Sequence, residues 1–275
     1  MTVERPSGPI QAVMVFGAAL GIPRGIYRHF SEYLADHRVI GVRFDYRGIG
    51  ESPSTQPGRD ITIDQWGRLD LSAVLAFVAQ EFPDCPVWFI GHSCGGQIFG
   101  LAEGAKHVEA AVFIACSCPH WRHWGLAPRF WRIQSQFYGA IPLVNAFCRD
   151  TFPARRVGLS TSDIPTGVIA QWVQWARKRQ YLFDDTWKLD TSNYAQLTLP
   201  ILSLGFTDDE SAPASAVEEL LTHYSAARVE HRLIDPQQHD IPTVGHMGFF
   251  RERYRDTLWR EVREWLESQK VGLRE

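Results

Sequence analysis

Five consecutive residues, Gly91-His92-Ser93-Cys94-Gly95, place a potential nucleophile in a segment that can turn sharply. They follow an apolar run at 86–90 and precede a helix-compatible stretch at 96–105. A serine flanked in this way, between a buried strand and a helix, is typical of a strained turn that lifts the hydroxyl above the edge of a sheet. The backbone N–H of Cys94 would then point at an oxyanion forming on a bound carbonyl group. Ser93 is therefore the candidate nucleophile, and the alternative is that it is only a small residue in a tight turn.

A serine hydroxyl attacks a carbonyl carbon only when a base accepts its proton, and the base needs a third group that fixes its tautomer. His246 lies between two glycines in Gly245-His246-Met247-Gly248, after the last predicted strand. Asp208 and Asp209 follow the strand before it. Serine, acid and histidine occur in the order used by serine enzymes built on parallel sheets. We expect His246 to be the base and either aspartate to orient it, while the other aspartate favours the start of the next helix.

Other histidines and cysteines offer different chemistry. His239 lies in a polar segment and is expected to be solvated, and His92 is expected to pack or hydrogen bond without a catalytic role. The side chains that could bind zinc at short spacing are Cys116, Cys118, His120 and His123. Four ligands within one short segment would be crowded, and a serine, a histidine and an aspartate need no metal, so we predict no metal site. The glycines near Ser93 lack the G-x-G-x-x-G spacing of a dinucleotide site, so no cofactor is expected.

The elements that must position these residues follow from the hydrophobic pattern. Short apolar runs predict buried strands at 11–16, 38–44, 86–90, 109–115, 201–206 and 228–234. Helical periodicity falls between them at 27–35, 64–80, 96–105, 214–224 and 254–269. Strands that alternate with helices at this spacing indicate an α/β fold, with a mostly parallel central sheet and helices on both faces.

The alternation stops between residues 118 and 195. This segment contains no convincing strand and two helix candidates, one through 128–148 broken by Pro142, the other starting at Ser162-Asp163-Ile164-Pro165. We therefore expect a core formed by 1–117 and 196–275 and a helical cap inserted at 118–195. Tryptophan is concentrated in the insertion, and its position over the nucleophile favours a lid and acyl pocket over packing alone. The candidate pocket residues are Trp121, Trp124, Trp131, Trp172 and Trp175.

Composition excludes several classes of function. A net charge of −3 without any block of lysine and arginine gives no support for nucleic acid as a partner. The N-terminal residues lack a basic and apolar leader, and no apolar run is long enough to span a bilayer, so a cytoplasmic protein without membrane insertion is expected. Five cysteines are an odd count in a chain long enough for its own core, so a disulfide framework is not needed. The sequence leaves open whether the chain is a monomer or a homodimer.

Together these motifs resemble the α/β-hydrolase superfamily over most of the chain. The landmarks that carry the resemblance, in the family's order, are the segments 44–52, 91–95, 208–213 and 245–249. More closely, the chain is similar to bacterial predicted α/β hydrolases related to the serine aminopeptidase and monoglyceride-lipase-like group. Gly21-Ile22-Pro23 with Tyr27, Asp163-Ile164-Pro165 with Trp172 and Trp175, and 245–251 carry this closer similarity.

The resemblance implies further site residues. It places the second oxyanion donor at a backbone N–H of Ala18, Ala19 or Leu20. Family members generally carry the acid four residues before the proline that corresponds to Pro213, which favours Asp209, whereas counting three residues from Gly205 favours Asp208. Two features depart from the family. Phe16-Gly17 replaces the usual His-Gly, and only ten residues precede position 11, where members usually have an antiparallel hairpin.

The leading hypothesis is a serine hydrolase that cleaves a carboxylic ester or thioester of a small, apolar acyl substrate through an acyl-enzyme on Ser93. Acyl transfer to an alcohol or thiol, or hydrolysis of a carbon–carbon bond, would use the same residues. A serine at the turn argues against the epoxide hydrolases and haloalkane dehalogenases of the superfamily, which attack with a carboxylate. The alternative from another class is a ligand-binding relative without catalysis, and the intact serine, histidine and aspartate argue against it.

Overall fold

A seven-stranded sheet forms the centre of the protein, and the computed structural model describes residues 1–125, 131 and 135–271 of the chain. The strands in chain order are β1 (Thr2–Glu4), β2 (Ala12–Gly17), β3 (Val39–Arg43), β4 (Val87–His92), β5 (Ala110–Ile114), β6 (Thr151–Phe152), β7 (Ile164–Pro165), β8 (Pro200–Phe206) and β9 (Arg228–Ile234). In the main sheet their order is β1-β3-β2-β4-β5-β8-β9. The strand β4, which leads into Ser93, therefore lies in the middle of the sheet.

The sheet is parallel except at one edge. Only β1 runs antiparallel, beside β3 with Val3 opposite Val42, and every other neighbouring pair in the main sheet is parallel. The predicted α/β fold with a mostly parallel sheet is confirmed, and each predicted strand is present to within two residues. Of the antiparallel hairpin that the resemblance implies before the first parallel strand, the described residues contain one strand, β1.

Burial explains why these sequences form strands. Every residue of β2, β3, β5 and β8 is buried, as expected for apolar runs in a parallel sheet that is covered on both faces. The last strand, β9, lies at the edge and is largely exposed. The core therefore sits around the central strands, on which the site is built.

The helices in chain order are α1 (Arg28–Asp36), α2 (Ser72–Glu81), α3 (Cys94–Gln97), α4 (Ile141–Ala146), α5 (Thr166–Arg177), α6 (Ser192–Gln196), α7 (Ala214–Thr222) and α8 (Arg260–Val271). Three of them are entered through π-helical turns at Trp66–Leu71, Gln136–Ala140 and Arg255–Trp259, and a single helical turn at Ile63–Gln65 precedes the first. Short 3₁₀ turns lie at Arg24–Tyr27, Gly58–Asp60, Phe99–Leu101, Glu103–His107, Trp121–Trp124, Tyr181–Phe183, Asp185–Trp187, Gly248–Phe250 and Glu252–Tyr254. Within the described residues, a helix both long enough and apolar enough to cross a membrane is not found.

The helix after Ser93 is shorter than predicted. A helix was expected over 96–105, but α3 ends at Gln97 and continues as 3₁₀ turns. The reason is that side chains from distant elements take its carbonyl groups, because Tyr194 donates its hydroxyl to Gln97 O and Tyr224 donates to Gly96 O. Gly100 makes room for the first of these rings, since a Cβ there would lie 2.5 Å from the ring of Tyr194.

The insertion between β5 and β8 differs from the expectation in three ways. It does contain strands, because β6 and β7 pair antiparallel with Phe152 opposite Ile164. As a result α5 begins at Thr166 rather than at 162–165, where the backbone is already extended and paired. Pro142 does not break its helix: the helical run continues from the π-helical turn at Gln136–Ala140 into α4, and the carbonyl group of Phe137 accepts from the guanidinium of Arg177. Part of the helix predicted at 128–148 lies outside the described residues.

Candidate active site

The turn between β4 and α3 holds Ser93 in a strained backbone conformation. Its φ of 52° and ψ of −116° are rare for a residue with a side chain. A Cβ on Gly91 would lie 2.6 Å from the backbone of Gly96, and one on Gly95 would lie 2.1 Å from the carbonyl oxygen of Gly17. Both flanking glycines are therefore required by close backbone approach, and the turn presents the half-buried Ser93 hydroxyl at the carboxyl end of the central strand.

His246 lies in the loop after β9 and contacts two of the candidate residues. Its Nε2 is 2.9 Å from Ser93 Oγ, and its Nδ1 is 2.7 Å from Asp209 Oδ2. A carboxylate only accepts, so Nδ1 carries the proton and Nε2 is left to accept from the serine hydroxyl. The three side chains thus form one continuous path for a proton from serine to imidazole.

The two aspartates have different partners. Asp209 is buried, and besides His246 it accepts hydrogen bonds from the backbone N–H groups of Ser211 and Ala212. Asp208 instead accepts from the backbone N–H groups that precede the histidine, at 2.8 Å from Val244 and 3.0 Å from Gly245. The expectation that the second aspartate starts the next helix is wrong, because α7 begins at Ala214 and Asp208 holds the histidine loop.

One candidate oxyanion donor, Cys94, follows Ser93 directly, and the others lie in the loop after β2. Cys94 opens α3, and its thiol donates weakly to Ala18 O at 3.5 Å, while burial raises the pKa of that thiol and keeps it protonated. Ala19 must be removed from the candidates, because its N–H donates to the hydroxyl of Tyr27 at 2.8 Å. Cys94 N–H therefore remains with Ala18 or Leu20 as the possible pair.

Two side chains beside the site were not assigned to it by sequence reasoning. His92 is buried, with Nδ1 3.0 Å from Tyr27 Oη and Nε2 2.8 Å from the backbone carbonyl of His246. Burial first, and then the nearby charge of His246, lowers the pKa of His92 to about 3, so the ring is neutral. Tyr27 was expected only as the first residue of a helical face and as part of the family resemblance, because nothing in its local sequence shows that its hydroxyl reaches His92. His239 is exposed, as expected.

The candidate pocket tryptophans do not form one cluster. Trp175 is fully buried against Tyr181, and Trp172 is half-buried against Phe137. Trp124 donates its indole N–H to Glu210 O beside the acid loop, and Trp121 is half-buried. Trp131 is 70% exposed, so it does not line an enclosed pocket in this conformation.

The insertion is attached to the loop that carries the oxyanion candidates. Ser160 and Ser162 donate their hydroxyls to the carbonyl groups of Leu20 and Gly21, at 2.8 and 2.6 Å. A cavity of about 360 Å³ lies between the insertion and the acid loop. Its apolar lining includes Ile141, Val144, Phe152, Val157 and Leu159, and Glu210 and Ser211, which follow Asp209 in the chain, also line it.

The side chains considered as zinc ligands in the segment 116–123 are not grouped around a common point. Cys116 donates its thiol to Gly91 O and Ile114 O, and His120 accepts from the N–H of Arg122. Within residues 1–125, 131 and 135–271, no three His, Cys, Asp or Glu side chains are grouped as metal ligands. All five cysteines of the sequence are free.

Comparison with known proteins supports this architecture. The model of the alpha/beta hydrolase family matches residues 15–258. Similar solved structures include a soluble variant of the monoglyceride lipase of Saccharomyces cerevisiae with a substrate analogue (15% identity, TM-score 0.69, 97% of this chain and 89% of that chain). Est1E from Butyrivibrio proteoclasticus with bound ferulic acid (14%, 0.63, 98% and 94%) and a monoacylglycerol lipase from Paleococcus ferrophilus (16%, 0.61, 98% and 98%) are also similar.

These identities are too low to transfer a substrate, so the solved structures establish the shared fold alone. No curated protein matches the sequence significantly.

Proposed function

The chain belongs to the alpha/beta hydrolase family, and on this premise we propose that it is a serine hydrolase that cleaves a carboxylic ester or thioester of a small, apolar substrate. One observation carries the proposal. Asp209, His246 and Ser93 form a single hydrogen-bonded series, with distances of 2.7 and 2.9 Å, that leads to a strained and half-buried serine. A residue that served only as a small group in a turn would not need an oriented base.

The proposed reaction has two halves. His246 Nε2 accepts the proton of Ser93 as Oγ bonds to the carbonyl carbon, and Asp209 stabilises the imidazolium that forms. The carbonyl oxygen becomes an oxyanion that accepts from Cys94 N–H and from Ala18 or Leu20 N–H. The bond to the leaving group then breaks, and His246 gives its proton to the leaving alcohol or thiol.

The acyl-enzyme is then hydrolysed, with water in place of the leaving group and His246 again as the base. Water takes the place of the leaving group, and His246 removes one of its protons as the water oxygen attacks the acyl carbon. Collapse of the second tetrahedral intermediate breaks the bond to Ser93 Oγ, which recovers its proton from His246. The products are a carboxylic acid and a free enzyme.

Two observations favour an apolar substrate. The cavity beside Asp209 is lined largely by aliphatic and aromatic side chains of the insertion, including Phe152 and Leu159. The similar structures include Est1E with bound ferulic acid and a monoacylglycerol lipase. We propose that the insertion at 118–195 acts as a cap and that this cavity accepts the acyl group.

The proposal is tested by covalent labelling. A fluorophosphonate probe should label the wild-type protein with a stoichiometry of one and should not label Ser93→Ala. The matched control is Ser225→Ala, which removes the hydroxyl of an exposed serine and should be labelled like the wild type. A panel of p-nitrophenyl esters from acetate to octanoate should then show turnover that depends on acyl length. Absent labelling of the wild type, or labelling that persists in Ser93→Ala, would contradict the proposed function.

A further inference from the structure

Three loops of the proposed site meet at the buried ring of His92. This ring precedes Ser93 directly, its Nε2 lies 2.8 Å from the backbone carbonyl of His246, and its Nδ1 lies 3.0 Å from Tyr27 Oη. Tyr27 Oη also receives the N–H of Ala19 at 2.8 Å. The series therefore joins the oxyanion loop, the serine turn and the loop of the proposed base.

The direction of every hydrogen bond in this series is fixed. A carbonyl oxygen only accepts, so His92 Nε2 must donate to His246 O. The neutral ring then has Nδ1 as an acceptor, which takes the hydroxyl proton of Tyr27. That hydroxyl oxygen in turn accepts from Ala19 N–H. No donor is left over and no acceptor is used twice, so the series determines one tautomer of His92.

We propose that His92 and Tyr27 are positioning residues, which fix the backbone of His246 and so hold its imidazole between Ser93 and Asp209. This inference rests on the proposed function of that site. His92 does not touch the reacting atoms in this arrangement, because both of its nitrogens are occupied by Tyr27 and by the His246 carbonyl.

The loop of His246 requires contacts that restrict its backbone. Gly245 has a φ of +55°, in the left-handed region, and the preceding residues from 236 to 243 are mostly exposed. Asp208 holds the loop before the histidine, through Val244 and Gly245. His92 holds it at the histidine itself, through the carbonyl group. The imidazole is thereby fixed from both sides of one peptide segment.

The surroundings of His92 favour this role. Its ring packs against Phe250 and Tyr27, with centroids 5.1 and 5.9 Å away, and the ring of His246 lies 5.5 Å away. These aromatic neighbours exclude water, so a hydrogen bond lost from His92 is not replaced by solvent. Loss of a hydrogen bond from His92 should therefore change the position of His246, because no water molecule compensates for it.

The test uses two variants that remove hydrogen bonds but keep an aromatic ring, and a third that keeps a donor without the ring. His92→Phe removes both nitrogens, Tyr27→Phe removes one hydroxyl, and His92→Gln retains an N–H donor. The measured quantities are the rate of p-nitrophenolate release as diethyl p-nitrophenyl phosphate transfers its diethylphosphoryl group to Ser93, and kcat and KM for p-nitrophenyl butyrate per titrated site. The control is Tyr33→Phe, a buried tyrosine on α1 whose hydroxyl accepts from Arg263.

We expect His92→Phe to lower both the phosphorylation rate and kcat by about tenfold or more, with KM nearly unchanged, because one buried hydrogen bond is lost from a residue that positions the base. Tyr27→Phe should act in the same direction but less, His92→Gln should recover part of the rate, and Tyr33→Phe should match the wild type. A structural role alone would lower the melting temperature and leave kcat per titrated site unchanged. That result in both His92→Phe and Tyr27→Phe would overturn the inference.

A second readout does not depend on hydrolysis. The proton between His246 Nδ1 and Asp209 should give a downfield proton resonance in the wild type that is absent in His246→Ala. In His92→Phe this resonance should broaden or exchange faster with solvent, and an unchanged resonance would contradict the positioning role. If diethyl p-nitrophenyl phosphate fails to react with the wild type, the proposed function fails, whereas the resonance still decides whether His92 positions His246.

Discussion

At the level of single residues, the proposed mechanism has Ser93 and His246 act on one proton, so their contributions to catalysis should not add. Ser93→Ala and His246→Ala should each reduce kcat to near the background rate while the protein stays folded. The double variant should be little worse than either single one, as for residues that act as a unit. The check is kcat/KM for one p-nitrophenyl ester in all four proteins, and losses that multiply would contradict a shared step.

Substitution of the two aspartates should lower kcat to clearly different extents. Asp209→Asn should lower kcat by a factor on the order of 10⁴, because an amide in this place favours the wrong imidazole tautomer. Asp208→Asn should cost far less, since it contacts only backbone N–H groups of the histidine loop. Measurement of kcat per titrated site in both variants decides the ranking, and the reverse order would move the acid to Asp208.

The sequence identifies some of these residues better than others. The glycines around Ser93 and His246 mark turns that expose a side chain, and this signal is local. Asp208 and Asp209 are adjacent, so no local pattern distinguishes them. The choice depends on a turn in which Asp209 N–H donates to Phe206 O, and on which side chain that turn directs at the histidine. The contacts of Tyr27 and His92 at the site could not be predicted, because their hydrogen bond joins residues 65 positions apart and that of His92 with the His246 carbonyl joins residues 154 positions apart.

At the level of elements, the two tryptophans of α5 should behave differently. Trp175 is fully buried, so Trp175→Ala should lower the free energy of unfolding by about 3–5 kcal/mol. Trp172 is half-buried against Phe137, so Trp172→Ala should destabilise less and should instead change the ratio of kcat/KM for short and medium acyl esters. Urea unfolding and the ester panel measure the two effects. Equal losses of stability with an unchanged ratio would assign both residues to packing.

Strands were easier to predict than the breaks in helices. Apolar runs such as those of β2 and β8 are buried on both faces, so their composition alone marks them. The pair β6 and β7 has two residues in each strand, too few to show any period. The early end of α3 is set by hydroxyls from Tyr194 and Tyr224, about a hundred positions later, and no local signal carries that information.

At the level of the whole molecule, buried histidines make stability depend on pH. Burial lowers the pKa of His92 from 6.5 to about 3 and is the main cause that lowers the pKa of His120 to about 4. Below about pH 6.5 the unfolded chain therefore binds protons that the folded chain does not. The free energy of unfolding should fall as the pH drops from 6.5 towards 3 and should not change through these groups above 6.5.

Urea unfolding of the wild type at pH 7, 6 and 5 measures this dependence. His92→Gln, which cannot bind the proton, should show a shallower decrease over the same range. A decrease of equal steepness in His92→Gln would show that other groups are responsible.

The order of the strands determines when the proposed site forms during folding. Ser93 follows the central strand and His246 follows the edge strand β9, 153 positions later, so their hydrogen bond closes one of the longest loops in the chain. Contacts between such distant segments form late, after helices and neighbouring strands. Hydrolysis should therefore return after dilution from denaturant more slowly than the far-ultraviolet circular dichroism, and simultaneous recovery would contradict this order. An assay of hydrolysis would then count only those molecules in which the whole sheet has assembled.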